Sequence, residues 1–277
     1  MASAGDALER LVVAVREGAK YREIAPDLVR AVGARELAKG RGFRETVKPT
    51  RNKLHQTVGA YIDTEPRYDR WLASLAAAHE AGDAAKIRIA SASIMRHHAS
   101  TRERLPILDE FYGAIFRRLP PIRRVVDVVC GLNPLALPWM ALAEGAEYVA
   151  YDVDAAMIAF LNDCFALLPG VAGNAPQRVA AVRDVVADPP IEPADLALVL
   201  KAIPCLEQLD KGAGARLLDA LNAPYLLVSF PLQSLGGRER GMATTYRARF
   251  AELSAGRAWE VEELVFGGEL VYLVRRG

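Results

Sequence analysis

The chain has 277 residues, of which 52% are hydrophobic and 25% are charged, and its formal net charge is +1. This composition, with a mean hydropathy of +0.08, excludes disordered, collagen-like and disulfide-stapled proteins. The longest apolar runs are 196–200 and 225–230, far below the ~20 residues needed to cross a bilayer, and the N-terminus lacks the pattern of a secretory signal. We therefore expect a cytoplasmic protein with one extended domain, or one domain with a helical addition.

The first part of the chain carries helical patterns, and no strand pattern occurs before Pro120. Apolar residues recur there at spacings of three and four, and Pro26 stands where a proline favours the start of a helix. Ser100 or Thr101 is expected to cap the last of these helices. The predicted helices span 6–18, a short segment from Pro26, 46–61, 67–81, 83–97 and 100–116.

Basic residues are concentrated in this helical part. Residues 1–120 carry 21 Lys/Arg against 15 Asp/Glu and residues 121–277 carry 14 against 19, so the formal charges of the two parts are +6 and −5. Six basic side chains between residues 39 and 53 are opposed only by Glu45: Lys39, Arg41, Arg44, Lys48, Arg51 and Lys53. A solvated helix face and a contact surface for a polyanion both fit this pattern.

After residue 120, short β-branched runs alternate with helical segments, which is typical of a parallel α/β sheet. Strands are predicted over 124–129, 148–153, 177–183, 196–200, 225–230, 262–266 and 269–274, with helices over 135–143, 155–167, 207–221 and 242–253. The last two strands flank Gly267 and Gly268, which predicts an antiparallel hairpin at the sheet edge. The sequence thus divides into a helical domain, 1–115, and an α/β domain, 116–277.

A carboxylate lies at the end of each of the first three predicted strands: Asp127, Asp152 and Asp184. Gly131 follows the first strand and lets the backbone approach a ligand. In doubly wound sheets ligands lie beyond the carboxyl ends of the strands, where an acidic residue can bind ribose hydroxyls. The Gly-x-Gly-x-x-Gly pattern of dinucleotide sites is missing, so S-adenosylmethionine, a nucleoside without phosphates, fits better than NAD. Each acid alone could equally be a helix cap or a solvated loop carboxylate.

The cysteines and histidines predict no metal site and no disulfide framework. The three cysteines form no Cys-x-x-Cys pair, and the four histidines are scattered, so we assign no metal. His98, directly before the predicted cap, is expected to be structural rather than catalytic. The residues concerned are Cys130, Cys164, Cys205, His55, His79, His97 and His98.

The segment 127–135, Asp-Val-Val-Cys-Gly-Leu-Asn-Pro-Leu, resembles the aminoglycoside-resistance ribosomal RNA methyltransferases of the ArmA, RmtB and Sgm type, which methylate N7 of guanine 1405 in 16S rRNA. The resemblance covers nearly the whole chain and is most specific in the tail motifs. Matching segments are 20–21, 54–55, 59–61, 98–105, 200–201 with Pro204, 229–231, 234–238 and 241–242. Val129, where many members have alanine, and Ala202-Ile203, in place of a leucine pair, are departures near the target pocket.

This resemblance implies a Rossmann-like S-adenosylmethionine-dependent methyltransferase domain, 116–277, behind an all-helical N-terminal RNA-binding domain, 1–115. It implies that Arg104 holds the cofactor carboxylate, Asp152 the ribose and Asp184 the adenine amine, with Gly131 giving close backbone passage and Val185 in the same site. By the same resemblance, Lys201, Arg238 and Met242 would face the target base or its RNA. Without the resemblance, surface ion pairs and core packing would explain these last three residues equally well.

The implied partner is 16S rRNA in the 30S subunit, docked through phosphate contacts from Lys48, Arg51 and Lys53. Guanine N7 carries a lone pair and no proton, so methyl transfer to it needs positioning but no general base. The base must first be turned out of its stack. Two alternatives share this scaffold: a small-molecule methyltransferase whose helical N-terminus is a lid, and a non-catalytic RNA-binding protein.

Overall fold

A computed structural model gives the structure of the protein and describes residues 4–59, 61, 66–169, 178–232 and 241–277. Seven strands form one sheet in the order β3-β2-β1-β4-β5-β7-β6. Strands β1 to β5 are parallel, and β7 runs antiparallel to both β5 and β6. The strands are β1 Arg124–Val128, β2 Glu147–Asp152, β3 Arg178–Val182, β4 Leu196–Leu200, β5 Tyr225–Pro231, β6 Trp259–Phe266 and β7 Glu269–Arg276. The predicted sheet and its terminal hairpin are confirmed.

Helices precede the sheet and flank its strands. Those before β1 are α1 Ala4–Arg16, α2 Pro26–Leu37, α3 Phe43–Leu54, α4 Tyr68–Glu80, α5 Ala84–Met95, α6 Ala99–Arg102 and α7 Leu108–Phe116. Those between and after the strands are α8 Ala155–Phe165, α9 Ile203–Leu209, α10 Ala213–Ala220 and α11 Met242–Ser254. In the part of the chain that the structure describes, no helix is long and apolar enough to span a membrane.

Prolines and glycines break three of the predicted helices. The helix predicted over 100–116 is instead α6, a 3-10 turn at Leu105–Ile107 that contains Pro106, and α7; its N-cap is His98 without a side-chain cap bond. The segment Asn133–Trp139 is a 3-10 helix with two prolines rather than an α-helix. The helix predicted over 207–221 is interrupted before Gly212, whose N–H donates to Asp210.

The helices before the sheet belong to two hydrophobic cores. Apolar side chains of α4, α5 and α7 pack into the same core as the inner face of the sheet. Helices α1, α2 and α3 have a small core of their own. These three helices are tied to the end of β2 by the segment 23–25: Ala25 N donates to Val153 O at 2.8 Å and Ala155 N donates to Glu23 O at 2.8 Å. The domain boundary at residue 115 stays a prediction.

Arg51, one of the basic residues of α3, makes contacts within the protein. Its guanidinium donates to the carbonyl oxygens of Ala14 at 2.6 Å and Val15 at 3.3 Å, in the last turn of α1, and lies 5.8 Å from the ring centre of Tyr21. Helix ends leave such carbonyls without partners, so Arg51 caps α1 and joins it to α3. A phosphate contact by Arg51 stays a prediction, but the side chain already has a structural role.

We expect Arg51→Ala to destabilise the protein because it removes the hydrogen bonds that cap α1. The expected loss in the free energy of unfolding is about 1 to 2 kcal/mol, measured by urea denaturation. Lys48 is exposed on the same helix, so Lys48→Ala should change stability by less than about 0.5 kcal/mol. Equal stability of the two variants would contradict a structural role for Arg51.

Candidate active site

Two adjoining cavities lie at the carboxyl ends of the parallel strands. The larger is lined among others by Tyr61, His98 and Lys201, and the smaller by Asp184 and Val185. Asp152 lines both. The edge of the sheet predicted from the sequence is therefore the edge where the structure brings these residues together.

Asp152 ends β2 and is 7% exposed. Its Oδ2 accepts a hydrogen bond from the N–H of Gly131 at 2.9 Å, and its Oδ1 accepts from the N–H of Val153 at 2.7 Å. Burial raises the pKa of Asp152, and these backbone N–H groups oppose the rise. Each carboxylate oxygen has a second lone pair, so the group can accept from ligand hydroxyls as well.

Asp184 and Val185 form the far wall of the smaller cavity. Asp184 Oδ1 accepts from the N–H of Val186 at 3.0 Å, and burial raises the pKa of this carboxyl group. Val185 is buried and gives the cavity an apolar side. Two acceptor carboxylates beside an apolar wall fit the hydroxyls, amine and flat ring of a nucleoside. The roles of both residues toward adenine stay predictions.

Gly131 follows β1 in a backbone conformation that favours glycine, with φ of +51°. A Cβ at this position would come within 2.6 Å of Cε1 in the His98 ring. A side chain would therefore fill the space where backbone and imidazole meet beside Asp152. The close neighbour of Gly131 is thus the His98 ring, and the ligand passage predicted for Gly131 stays a prediction.

Arg104 is 1% exposed and is not among the described residues that line the two cavities. Its guanidinium donates to both carboxylate oxygens of Glu269, at 3.0 and 2.6 Å, and to Oδ1 of Asn133 at 3.0 Å. These bonds use three of its five N–H groups, which leaves two for a carboxylate. Its predicted contact with the cofactor carboxylate is compatible with this arrangement and stays a prediction.

Lys201, directly after β4, lines the larger cavity and is 5% exposed. Its Nζ lies 2.8 Å from Oε2 of Glu103 and 3.3 Å from Oε2 of Glu269, and it donates to the carbonyl of Ser100 at 3.2 Å. The ion pair is thus buried rather than on the surface. Lys201 and Val129 are the two non-glycine residues of the described chain with φ in the left-handed region, and such strain is common at functional sites.

The other predicted site residues are Met242, Arg238, Lys48 and Lys53. Met242 is the first residue of α11 and is half-buried. Arg238 and its motif lie outside the described residues. Lys48 is exposed and Lys53 is half-buried on α3, and neither is among the residues that line the two cavities. The base-facing and phosphate-binding roles of these residues stay predictions.

The sequence alone did not identify three contributors to the site. His98, expected to be structural, lines the larger cavity, stacks on Tyr61 and has a pKa lowered to about 4 by burial and by the charge of Lys201. The Tyr61 hydroxyl lies 2.7 Å from Sγ of Cys205, whose thiol pKa is raised by burial. Glu269 contacts Arg104 and Lys201, which are two of the predicted site residues. The segments 59–61 and 98–105 of the family resemblance were the available signal for the first two.

A family model described as ribosomal RNA methyltransferase (FmrO) matches residues 17–273. The chain belongs to this family. The resemblance inferred from the motifs is therefore confirmed, and the protein is a ribosomal RNA methyltransferase with the predicted fold. In the described part of this FmrO chain, no group of three or more His, Cys, Asp or Glu residues is placed to hold a metal ion.

Two relatives and one solved structure match the chain over almost its full length. A 16S rRNA (guanine(1405)-N(7))-methyltransferase of Frankia casuarinae is 41% identical, covering 98% of this chain and 94% of the relative. A protein of the same name from Micromonospora echinospora is 38% identical, covering 98% and 97%. The crystal structure of 16S rRNA methyltransferase RmtF in complex with S-adenosyl-L-homocysteine has a TM-score of 0.83 and 31% identity, covering 98% of both chains.

His98 gives the stability of this protein a pH dependence. The unfolded chain binds a proton on this imidazole near pH 6.5, whereas the folded protein does so only near pH 4. Its stabilising contribution is therefore complete above pH 6.5 and is lost as pH falls from 6.5 toward 4. Between pH 7 and pH 4.5, the free energy of unfolding of His98→Gln, measured by urea denaturation, should fall by less than that of wild type. The exposed His79→Gln variant is the control, and identical pH slopes for wild type and His98→Gln would contradict the prediction.

Proposed function

We propose that this protein transfers the methyl group of S-adenosylmethionine to N7 of guanine 1405 in the 16S rRNA of the 30S subunit. Methylation at this position would give resistance to aminoglycosides of the kanamycin and gentamicin type. The proposal is carried by the strand-end cavities with their two acceptor carboxylates, in a chain of which 98% matches the named guanine-N7 methyltransferases. A ribosomal substrate also implies a cytoplasmic protein.

The residues at the cavities are suited to the cofactor. Asp152 would accept from the ribose hydroxyls, Asp184 would accept from the adenine amine beside Val185, and the remaining N–H groups of Arg104 would donate to the carboxylate. S-adenosylmethionine supplies a methyl group on a positively charged sulfur, which is already activated for transfer.

The protonation states around the larger cavity fit a reaction without proton transfer. His98 is neutral at pH 7 because its pKa is about 4, and burial keeps the Cys205 thiol protonated. The Lys201 ammonium is held between Glu103, Glu269 and the Ser100 carbonyl. Since N7 has no proton to remove, these groups need only orient the base and exclude water.

Docking on RNA would begin with the helical part. Lys48 and Lys53 lie on α3, and neither has a carboxylate within ion-pair distance among the described residues. Phosphate contacts there would offset the cost of turning the guanine out of its stack. Because Arg51 caps α1, the pair Lys48 and Lys53 is the better test of RNA contacts than the three residues together.

One observation favours the small-molecule alternative. Leu28 of α2 and Thr57 line the smaller cavity, so the helical part covers the cofactor side as a lid would. Salt-sensitive binding to 30S subunits distinguishes the two functions, because counterion release accompanies phosphate contacts and not the binding of a small neutral substrate.

We expect Asp184→Asn to weaken binding of S-adenosyl-L-homocysteine about tenfold to a hundredfold, since a charged acceptor is lost from a partly buried site. Isothermal titration calorimetry measures the affinity. Asp163→Asn, exposed on α8, is the matched control and should bind as wild type does. Unchanged affinity of the Asp184 variant would refute the assignment of this cavity to the adenosine moiety.

Expression in a susceptible bacterium tests the proposed reaction directly. Primer extension on 16S rRNA should place the modification at guanine 1405, and the cells should resist kanamycin and gentamicin but stay sensitive to apramycin. The physical reason is that methylation removes an acceptor and adds a positive charge and a methyl group to one base edge, which repels polycationic drugs that contact it. Modification at a neighbouring adenine, or none in cells that hold folded protein, would refute the proposal.

A further inference from the structure

Glu269 is a buried carboxylate at the functional edge of the sheet. It is the first residue of β7 and is 1% exposed. Because β7 runs antiparallel to β5, its first residue lies opposite Pro231, at the carboxyl end of β5. The terminal hairpin therefore carries a carboxylate to the edge where β1, β2 and β4 deliver Gly131, Asp152 and Lys201.

One carboxylate at this position contacts two cations from different parts of the chain. Oε2 of Glu269 accepts from Nε of Arg104 at 3.0 Å, and Oε1 accepts from Nη2 of Arg104 at 2.6 Å. Oε2 also lies 3.3 Å from Nζ of Lys201. Burial raises the pKa of Glu269, but the charges of Arg104 and Lys201 outweigh burial, and the pKa lies below its usual value. Glu269 is therefore ionised at neutral pH.

Arg104 and Lys201 each have a further partner besides Glu269, and the two further partners are different residues. Arg104 also donates to Oδ1 of Asn133, whose Nδ2 donates to Asp127 at 2.9 Å. Lys201 also pairs with Glu103 at 2.8 Å. Glu269 is the group in this described network that contacts both cations. Glu103 contacts Lys201 alone, which makes the two carboxylates experimentally separable.

We propose that Glu269 is a positioning residue that orients Arg104 toward the cofactor carboxylate and Lys201 toward the target base. This inference rests on the proposed function for the identity of the two ligands. The bidentate bond fixes the plane of the guanidinium, so its two remaining N–H groups keep one direction. A glutamine at this position would offer one oxygen and turn an amide donor toward a cation, which leaves either the guanidinium or the ammonium without its partner.

The first measurement is the affinity for S-adenosyl-L-homocysteine by calorimetry, which needs no turnover. Glu269→Gln should weaken binding at least about tenfold, as expected for loss of a charged hydrogen-bond partner. In an Arg104→Ala background the same substitution should change affinity by less than about threefold, because coupled residues are non-additive. Unchanged affinity of the folded Glu269→Gln protein, or full additivity with Arg104→Ala, would overturn the proposal.

The second measurement separates the two cations by kinetics on 30S subunits. Glu103→Gln should lower kcat and leave the affinity for S-adenosyl-L-homocysteine unchanged, whereas Glu269→Gln should change both. The control is Glu262→Gln on β6, where the exposed Glu262 side chain pairs with Arg118. This variant should match wild type in kcat and in affinity for S-adenosyl-L-homocysteine. Equal loss of cofactor affinity in the Glu103 and Glu269 variants would contradict separate contacts.

Folding is checked by near-ultraviolet circular dichroism of every variant. If Glu269→Gln does not fold, Glu269→Asp keeps the charge on a shorter side chain and should weaken cofactor binding, with the same non-additivity toward Arg104→Ala. A folded Glu269→Asp protein with wild-type affinity would overturn the proposal. Binding of S-adenosyl-L-homocysteine without methylation of 30S subunits by wild type would refute the proposed function, while the affinity cycle would still test Glu269.

Discussion

The buried ion pair between Arg104 and Glu269 joins the helical part of the chain to the last strand of the sheet. Arg104 belongs to the turn between α6 and α7, and Glu269 opens the last strand, 165 residues further along the chain. Taking two such charges out of water is costly, and apolar residues of similar volume often stabilise a protein as well. This cost fits the positioning role proposed for Glu269, in which the pair fixes the direction of one guanidinium. Lys201 belongs to the same network.

Around this pair, the helical part is divided by its packing. Helices α4, α5 and α7 share the core of the sheet, and Phe111 of α7 lies against the guanidinium of Arg104. Helices α1, α2 and α3 form a separate small core that reaches the end of β2 through the hydrogen bonds of residues 23–25. The surface proposed to meet RNA thus lies on a unit that also lines the smaller cavity through Leu28. On the proposed function, docking and cofactor binding would share this unit.

The groups at the described cavity fit the proposed reaction, because an N7 acceptor would need no base. They are a neutral imidazole, a protonated thiol and an ammonium held by two carboxylates. Val129 and Lys201, which have left-handed backbone, follow β1 and β4 and line the larger cavity. Such a site accelerates a reaction by alignment, which requires rigid supporting contacts more than reactive side chains.

The sequence predicted the sheet and the edge where Asp152 and Asp184 line the cavities, because alternation of strands and helices places the carboxyl ends of parallel strands together. It also carried the family motifs. That Arg51 caps α1, and that Glu269 contacts both Arg104 and Lys201, emerged from the three-dimensional structure. A glutamate after a Gly-Gly turn looks like a surface residue, and its burial depends on an antiparallel pairing between distant segments. Local patterns report which face of an element is apolar, but they do not report which charges from remote elements meet there.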